Sequence, residues 1–210
     1  MTDAPDPGEA DIEAGRRFFA KPWRFVTGAP DADALPPATG TEIAFAGRSN
    51  AGKSSLINAL TGRRGLARVS GTPGRTRELN FFACGEAFFL VDLPGYGYAR
   101  GGNEAWLEAM VEYLRGRPNL RRVFLLIDAR RGLKANDAAM LDLLDKAAVS
   151  YQIVLTKADK LKPDELAAVT AAVTAAIARR PAACPAILVT SAETGACLPE
   201  LRAAIAQLAA

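Results

Sequence analysis

Eight consecutive residues, Gly47, Arg48, Ser49, Asn50, Ala51, Gly52, Lys53 and Ser54, spell G-x-x-x-x-G-K-S between an apolar run at 43–46 and a helix-like run at 55–60. No other feature narrows the choice of fold so sharply. A buried strand that enters a tight glycine loop and leaves as a helix points backbone N–H groups and the helix N-terminus at one spot, which makes an anion cradle. In such a cradle Lys53 neutralises the β- and γ-phosphates of a nucleotide, and the Ser54 hydroxyl ligates Mg²⁺. A plain glycine-rich turn with an exposed lysine would share the letters but has no need of the flanking strand and helix.

The chain of 210 residues is long enough for one domain with short extensions and a substantial core. With 50% hydrophobic and 23% charged residues it reads as globular, and no apolar run approaches the roughly 20 residues of a membrane span. Residues 1–15 are acidic and polar and lack the basic and apolar regions of a signal peptide, so a cytoplasmic protein is expected. Cys84, Cys184 and Cys197 are odd in number and widely spaced, which argues against a disulfide framework or a C-x-x-C metal site. The chain has no histidine, so imidazole bases, His-based triads and His-ligated metals are excluded within it. Catalysis must then rest on positioning, backbone donors, Lys and Arg charge and a metal ion, which is how phosphoryl transfer proceeds.

Net charge is only +3, too little to imply nucleic-acid binding by itself. The arrangement is more suggestive. Arg63, Arg64, Arg68, Arg75 and Arg77 follow the first helix of the nucleotide domain, Arg115, Arg117, Arg121 and Arg122 surround one loop, and Arg130 and Arg131 form a third cluster. Solvated surface and an RNA-contacting face are both compatible with this pattern.

Beyond residue 42, apolar runs alternate with longer helical patterns. Strands are expected at 42–46, 78–84, 87–92, 122–128, 151–156 and 186–190, and helices at 53–60, 103–116, 134–148, 164–179 and 198–208. Several strands are apolar throughout, as parallel strands covered on both faces should be. The expected fold is therefore α/β: a doubly wound, mostly parallel six-stranded sheet with helices on both faces. Gly85-Glu86 joins two runs as a hairpin, so one strand should run antiparallel. Residues 1–17 read as a disordered tail, 18–42 as an arm (Phe18, Phe19, Trp23, Phe25) packed on the domain, and 43–210 as the nucleotide-binding domain.

Ligands of such sheets sit beyond the carboxyl ends of the strands, and three further motifs fall there in order. Asp92, Leu93, Pro94 and Gly95 end a strand in D-x-x-G form; Asp92 would hold Mg²⁺ through a water and the Gly95 N–H would sense the γ-phosphate. The same residues also suit an ordinary strand-end turn. Thr156, Lys157, Ala158 and Asp159 have the form [N/T]-K-x-D. The Asp159 carboxylate can accept from both N1–H and the 2-amino group of guanine, with the Lys157 stem laid over the base. Adenine has no such donor pair and would leave a desolvated carboxylate unpaired. Thr190, Ser191 and Ala192 end the last apolar run, where the N–H groups of Ser191 and Ala192 could donate to guanine O6. In the Gly-rich segment 70–78, Thr72 and Thr76 both qualify to complete the Mg²⁺ shell and order the loop in the triphosphate state.

With these residues in view, the chain resembles translation-factor-class P-loop GTPases and, more closely, the EngB (YihA/YsxC) family of bacterial ribosome-biogenesis GTPases. The match is carried by FAGRSNAGKSSLINAL at 45–60, TPGRT at 72–76, NFF at 80–82, DLPGYGYA at 92–99 and TKADK at 156–160. The resemblance implies that Thr76 is the switch threonine and that Gly74, Arg75, Thr76, Arg77 and Glu78 line the nucleotide. It further implies GTP and GDP as ligands, Mg²⁺ on Ser54, Thr76 and, through water, Asp92, and catalysis carried by Lys53, Thr76 and Gly95. The partner it implies is a large ribosomal subunit precursor (rRNA and ribosomal proteins), with a family role in cell division and septation, for a monomer in the cytoplasm. Tyr96 stands where Ras-like proteins have a water-orienting Gln, so hydrolysis should be slow and helped by a partner. Asn50 either caps the loop or, as in potassium-activated relatives with a similar phosphate loop, helps hold K⁺. Two rival readings are an ATPase or small-molecule kinase on the same cradle, and a septum-associated scaffold with structural nucleotide.

Overall fold

The computed structural model of the chain describes residues 7–68, 78–96 and 105–209. Its elements in chain order are α1 (Glu9–Ala20), β1 (Trp23–Ala29), β2 (Thr41–Gly47), α2 (Lys53–Thr61), β3 (Leu79–Cys84) and β4 (Phe88–Asp92). There follow α3 (Ala105–Gly116), β5 (Leu120–Asp128), α4 (Ala135–Lys146), β6 (Tyr151–Thr156), α5 (Pro163–Ile177), β7 (Leu188–Val189) and α6 (Leu198–Leu208).

Strand side chains alternate between two cores, one on each face of the sheet, which is why the strands read as continuously apolar. On β2, Ile43 and Phe45 join Leu56, Ile57 and Leu60 of α2 and Leu201 and Ile205 of α6. Ala44 and Ala46 face the opposite core, built from Tyr113 of α3, Leu141 and Leu144 of α4 and Val173 of α5. The same division holds on β5, where Phe124 and Leu126 face the first core and Val123, Leu125 and Ile127 the second.

The strand order is β1-β3-β4-β2-β5-β6-β7. This corrects the expected strand count: among the described residues the sheet has seven strands, not six, because the arm contributes β1, paired antiparallel with β3. β3 is the strand that runs against the rest, since it is antiparallel to both β1 and β4 while β4, β2, β5, β6 and β7 pair in parallel. The last strand is only Leu188–Val189, shorter than the run 186–190.

A second correction concerns the tail. Residues 1–6 lie outside the described residues, but 9–17 belong to α1 rather than to a disordered segment. Asp11 accepts from the Gly8 N–H at 3.2 Å, which caps the helix start. Gly15 permits the contact that holds α1 in place: a Cβ there would lie 2.6 Å from the Ala203 backbone nitrogen on α6. Phe19 then stacks on Trp23 with ring centroids 5.2 Å apart. At the opposite end of the molecule from the strand C-termini, buried Glu42 accepts from Arg117 at 2.6 Å and from the Tyr113 hydroxyl at 2.9 Å, tying α3 to the start of β2.

Candidate functional site

The C-terminal ends of the parallel strands meet at one edge, in the register Phe45 beside Asp92, Gly47 beside Leu126, Asp128 beside Thr156 and Leu155 beside Val189. The motifs at 47–54, 92–95, 156–159 and 190–192 each begin at or just after the last residue of one of these strands. From Gly47 the chain turns back on itself, with Ala51 N donating to Arg48 O at 3.0 Å. Asn50 and Gly52 take the left-handed conformation, at φ 65° and 95°. Asn tolerates that region better than most residues with a side chain. Gly52 then caps α2 without any side-chain hydrogen bond, so the N-terminal donors of α2, including those of Lys53 and Ser54, lack a side-chain cap. That is the anion-binding arrangement described above.

Lys53 Nζ lies 3.9 Å from Asp92 Oδ1. Asp92 is buried, and this oxygen has no hydrogen-bond partner among the described residues. Burial pushes its carboxyl above the ordinary range, opposed by the charge of Lys53. An orphaned, desolvated carboxylate oxygen beside Lys53, at the start of the helix that also carries the half-buried Ser54, suits a water-clad divalent cation, because Mg²⁺ keeps several waters and takes one or two protein ligands plus phosphate oxygens. Among the described residues no cluster of three or more acidic or thiol side chains could hold a metal by itself. Thr76, with Gly74, Arg75 and Arg77, lies outside the described residues; Glu78 is exposed at the entry to β3.

Leu93 N donates to Phe45 O at 2.9 Å, extending the β4–β2 pairing past Asp92. The next turn brings Gly95 into contact with the phosphate loop, where a Cβ would lie 2.9 Å from Ser49 Oγ and 3.1 Å from Ser49 N. Tyr96 O accepts from Ser49 N at 3.3 Å. The Tyr96 side chain is buried, with its hydroxyl donating to Asp137 Oδ1 at 2.9 Å. Burial, with Asp137 next to it, pushes the phenol far above its ordinary range, so it stays a donor.

At the other end of the cleft, Thr156 donates to Ala51 O at 2.6 Å. Lys157, also left-handed at φ 58°, reaches back to Asn50 O at 2.7 Å and Asp128 Oδ2 at 3.0 Å. Base loop and phosphate loop are thereby joined. Asp128 was not singled out by sequence reasoning, although a carboxylate closing an apolar strand is a visible signal. Burial would raise its carboxyl, but hydrogen bonds from Arg130 and Lys157 hold it at about 2. Arg130, read above as part of a basic cluster, is thus committed to Asp128 at 2.7 Å. Arg117 is likewise withdrawn from its cluster by Glu42, while Arg63, Arg64, Arg68, Arg115, Arg121 and Arg131 remain exposed.

Asp159 accepts from Ser191 Oγ at 2.6 Å and pairs with Lys160 at 2.9 Å. These contacts, Ser191 first, hold its carboxyl below the ordinary range. Ala158 N donates to Thr190 O at 3.1 Å, which fixes the two loops to each other. One expectation needs correcting: the Ser191 N–H is already donated to Ala196 O at 3.2 Å. Of that pair, Ala192 N–H is the donor that remains; the Ser191 hydroxyl serves Asp159 instead. Gly52, Leu56, Thr156, Lys157, Asp159, Thr190 and Ala192 line one cleft of about 230 Å³. It runs from the start of α2 to Asp159, and so joins an anion cradle to a carboxylate that accepts hydrogen bonds.

Residues 42–157 match the family model described as "50S ribosome-binding GTPase". A curated relative named "Probable GTP-binding protein EngB", from Rhodopseudomonas palustris (strain BisA53), is 55% identical over 100% of this chain and 99% of its own length. Among solved structures, a probable GTP-binding protein engB superposes with a TM-score of 0.61 at 22% identity, over 80% of this chain and 98% of its own. Era in complex with MgGDPNP and nucleotides 1506–1542 of 16S ribosomal RNA gives a TM-score of 0.64 at 22% identity, over 81% of this chain and 57% of its own.

Proposed function

The chain belongs to the EngB family of GTP-binding proteins, and from that footing we propose that it is a Mg²⁺-dependent GTP switch with slow intrinsic hydrolysis, acting in large ribosomal subunit assembly. The observation that carries the reading is a cleft with Gly52 and the start of α2 at one end and a hydrogen-bonded, ionised Asp159 at the other. In this reading Lys53 offsets phosphate charge, and Ser54, with Asp92 through water, holds Mg²⁺. Thr76 completes the metal shell. The Gly95 N–H meets the γ-phosphate, Asp159 takes the guanine N1–H and 2-amino group, and Ala192 N–H takes O6.

Slow hydrolysis is supported by Tyr96, whose hydroxyl is engaged by Asp137 and which brings no amide to orient water. The partner would supply what is missing. The family description names the 50S ribosome and the Era neighbour holds ribosomal RNA, which favours a pre-ribosomal partner contacted in part through the exposed arginines. The family role in cell division and septation is carried over with it. No helix among the described residues is long and apolar enough to cross a membrane. The switch we propose is a monomer in the cytoplasm, as the family resemblance implies. Sedimentation of tagged protein on sucrose gradients tests the switch: co-migration with large-subunit precursors should be stronger with a non-hydrolysable GTP analogue than with GDP. Equal association with both would remove the coupling. Hydrolysis compared in KCl and NaCl at equal ionic strength tests Asn50; equal rates would leave it a loop cap.

A further inference from the structure

Asp137, on α4, belongs to no nucleotide motif, yet it is fully buried and joins two of them. Its Oδ1 accepts from the Tyr96 hydroxyl at 2.9 Å. Its Oδ2 accepts from the Lys134 N–H at 2.9 Å and sits 3.2 Å from Arg48 Nε. Arg48 also reaches Gly132 O at 3.4 Å. The convergence has a backbone cause. Arg48 and Tyr96 form a parallel bridge, so the phosphate loop and the D-x-x-G segment pair for one further step beyond β2 and β4. Residues paired in this way present their side chains on one face of the sheet, and here both side chains end on the same carboxylate.

We propose that Asp137 is a positioning residue for triphosphate recognition: by fixing Tyr96 and Arg48 to each other it holds Gly95 against the phosphate loop. Gly95 has no side chain of its own to anchor it, and its backbone is already in contact with Ser49. Its place is set by the residue that follows. A clamp on Tyr96 fixes the Gly95 N–H before nucleotide arrives, so that a γ-phosphate finds the donor in place and does not have to order it. GDP presents no group to that donor and should be indifferent to the clamp. The inference rests on the reading that the cleft takes GTP.

The test compares the affinities of GDP and a non-hydrolysable GTP analogue, both with Mg²⁺, for the full chain and for Tyr96→Phe, Asp137→Ala and the double variant. Tyr96→Phe keeps the ring and removes one hydrogen bond to a charged group, so the analogue should bind about tenfold more weakly while GDP binding is little changed. Asp137→Ala should lower the analogue-to-GDP preference at least as far, and the double variant no further than Asp137→Ala, because the two share one contact. Equal losses for both nucleotides, or an unchanged preference in Tyr96→Phe, would overturn the proposal and leave Asp137 a structural acid. Should Asp137→Ala fail to fold, Tyr96→Phe decides alone, with its melting curve as control. A wild-type chain that binds neither nucleotide would sink the GTP reading itself, an outcome distinct from binding with unchanged preference.

Discussion

At the scale of single residues, base recognition depends on the charge of Asp159. Ser191 and then Lys160 hold its carboxyl below the ordinary range. A depressed folded pKa means that the ion is fully present above the ordinary carboxylate value of about 4 and is lost only as pH falls through the depressed value. GTP affinity should therefore be flat around neutrality and decline in acid. Ser191→Ala removes the first of the two contacts, so the acid decline should begin at higher pH, as read by titration calorimetry across a pH series. Asp159→Asn should weaken GTP by about 10²–10⁴-fold, since two hydrogen bonds to a charged acceptor are each worth about 1.5–3 kcal/mol. The same variant should gain affinity for xanthosine triphosphate, whose 2-oxo group faces an amide donor. An unaltered preference for guanine over xanthine would show that Asp159 does not read the base.

Among the elements, α1 gives the sharpest test of packing. Its contact with α6 needs Gly15, because both nearby groups, the Ala203 nitrogen and the Arg202 carbonyl carbon at 2.6 and 2.7 Å from a built Cβ, are backbone and cannot turn aside. Gly15→Ala should cost about 1–3 kcal/mol, a fall in melting temperature of roughly 2–10 °C for a domain of this size. GDP affinity should barely move, since α1 does not line the cleft. A melting temperature equal to that of the wild type would mean that α1 is not packed as described. The element is hard to read from its letters for the same reason. A mid-helix Gly costs about 1 kcal/mol relative to Ala, and five of the twelve residues of EADIEAGRRFFA are charged. Its stability comes from the partner surface, not from local propensity. β1 was hidden in a similar way: Trp23 and Ala29 are buried at its ends while Arg24 and Phe25 between them are exposed, so neither alternation nor a continuous apolar run announces it.

For the molecule as a whole, the N-terminal segment closes the sheet on the β3 side. Phe18, Phe19 and Trp23 form one cluster of rings with Phe88, and β1 satisfies the outer edge of β3. Deleting residues 1–29 would uncover an apolar strand edge, a template for pairing between chains. The truncated chain should self-associate with rising concentration, as followed by light scattering, and should melt at lower temperature. A truncated chain that stays monomeric and melts unchanged would show that the arm is dispensable for the fold.

The central strands, the α/β alternation and the glycine turn at 47–52 were all legible in the letters of the chain. These depend on short stretches of chain: side-chain period, turn chemistry and the spacing of glycines within a few residues. Features whose partners lie far apart along the chain were not legible there and became visible in the folded molecule. Tyr96 and Asp137 are 41 positions apart, Lys157 and Asn50 107, and Arg202 caps the last carbonyls of α2 from 142 positions away. No local pattern marks such pairs, because each hydrogen bond can form only once the sheet has brought the two elements side by side, after the intervening chain has been closed into a loop.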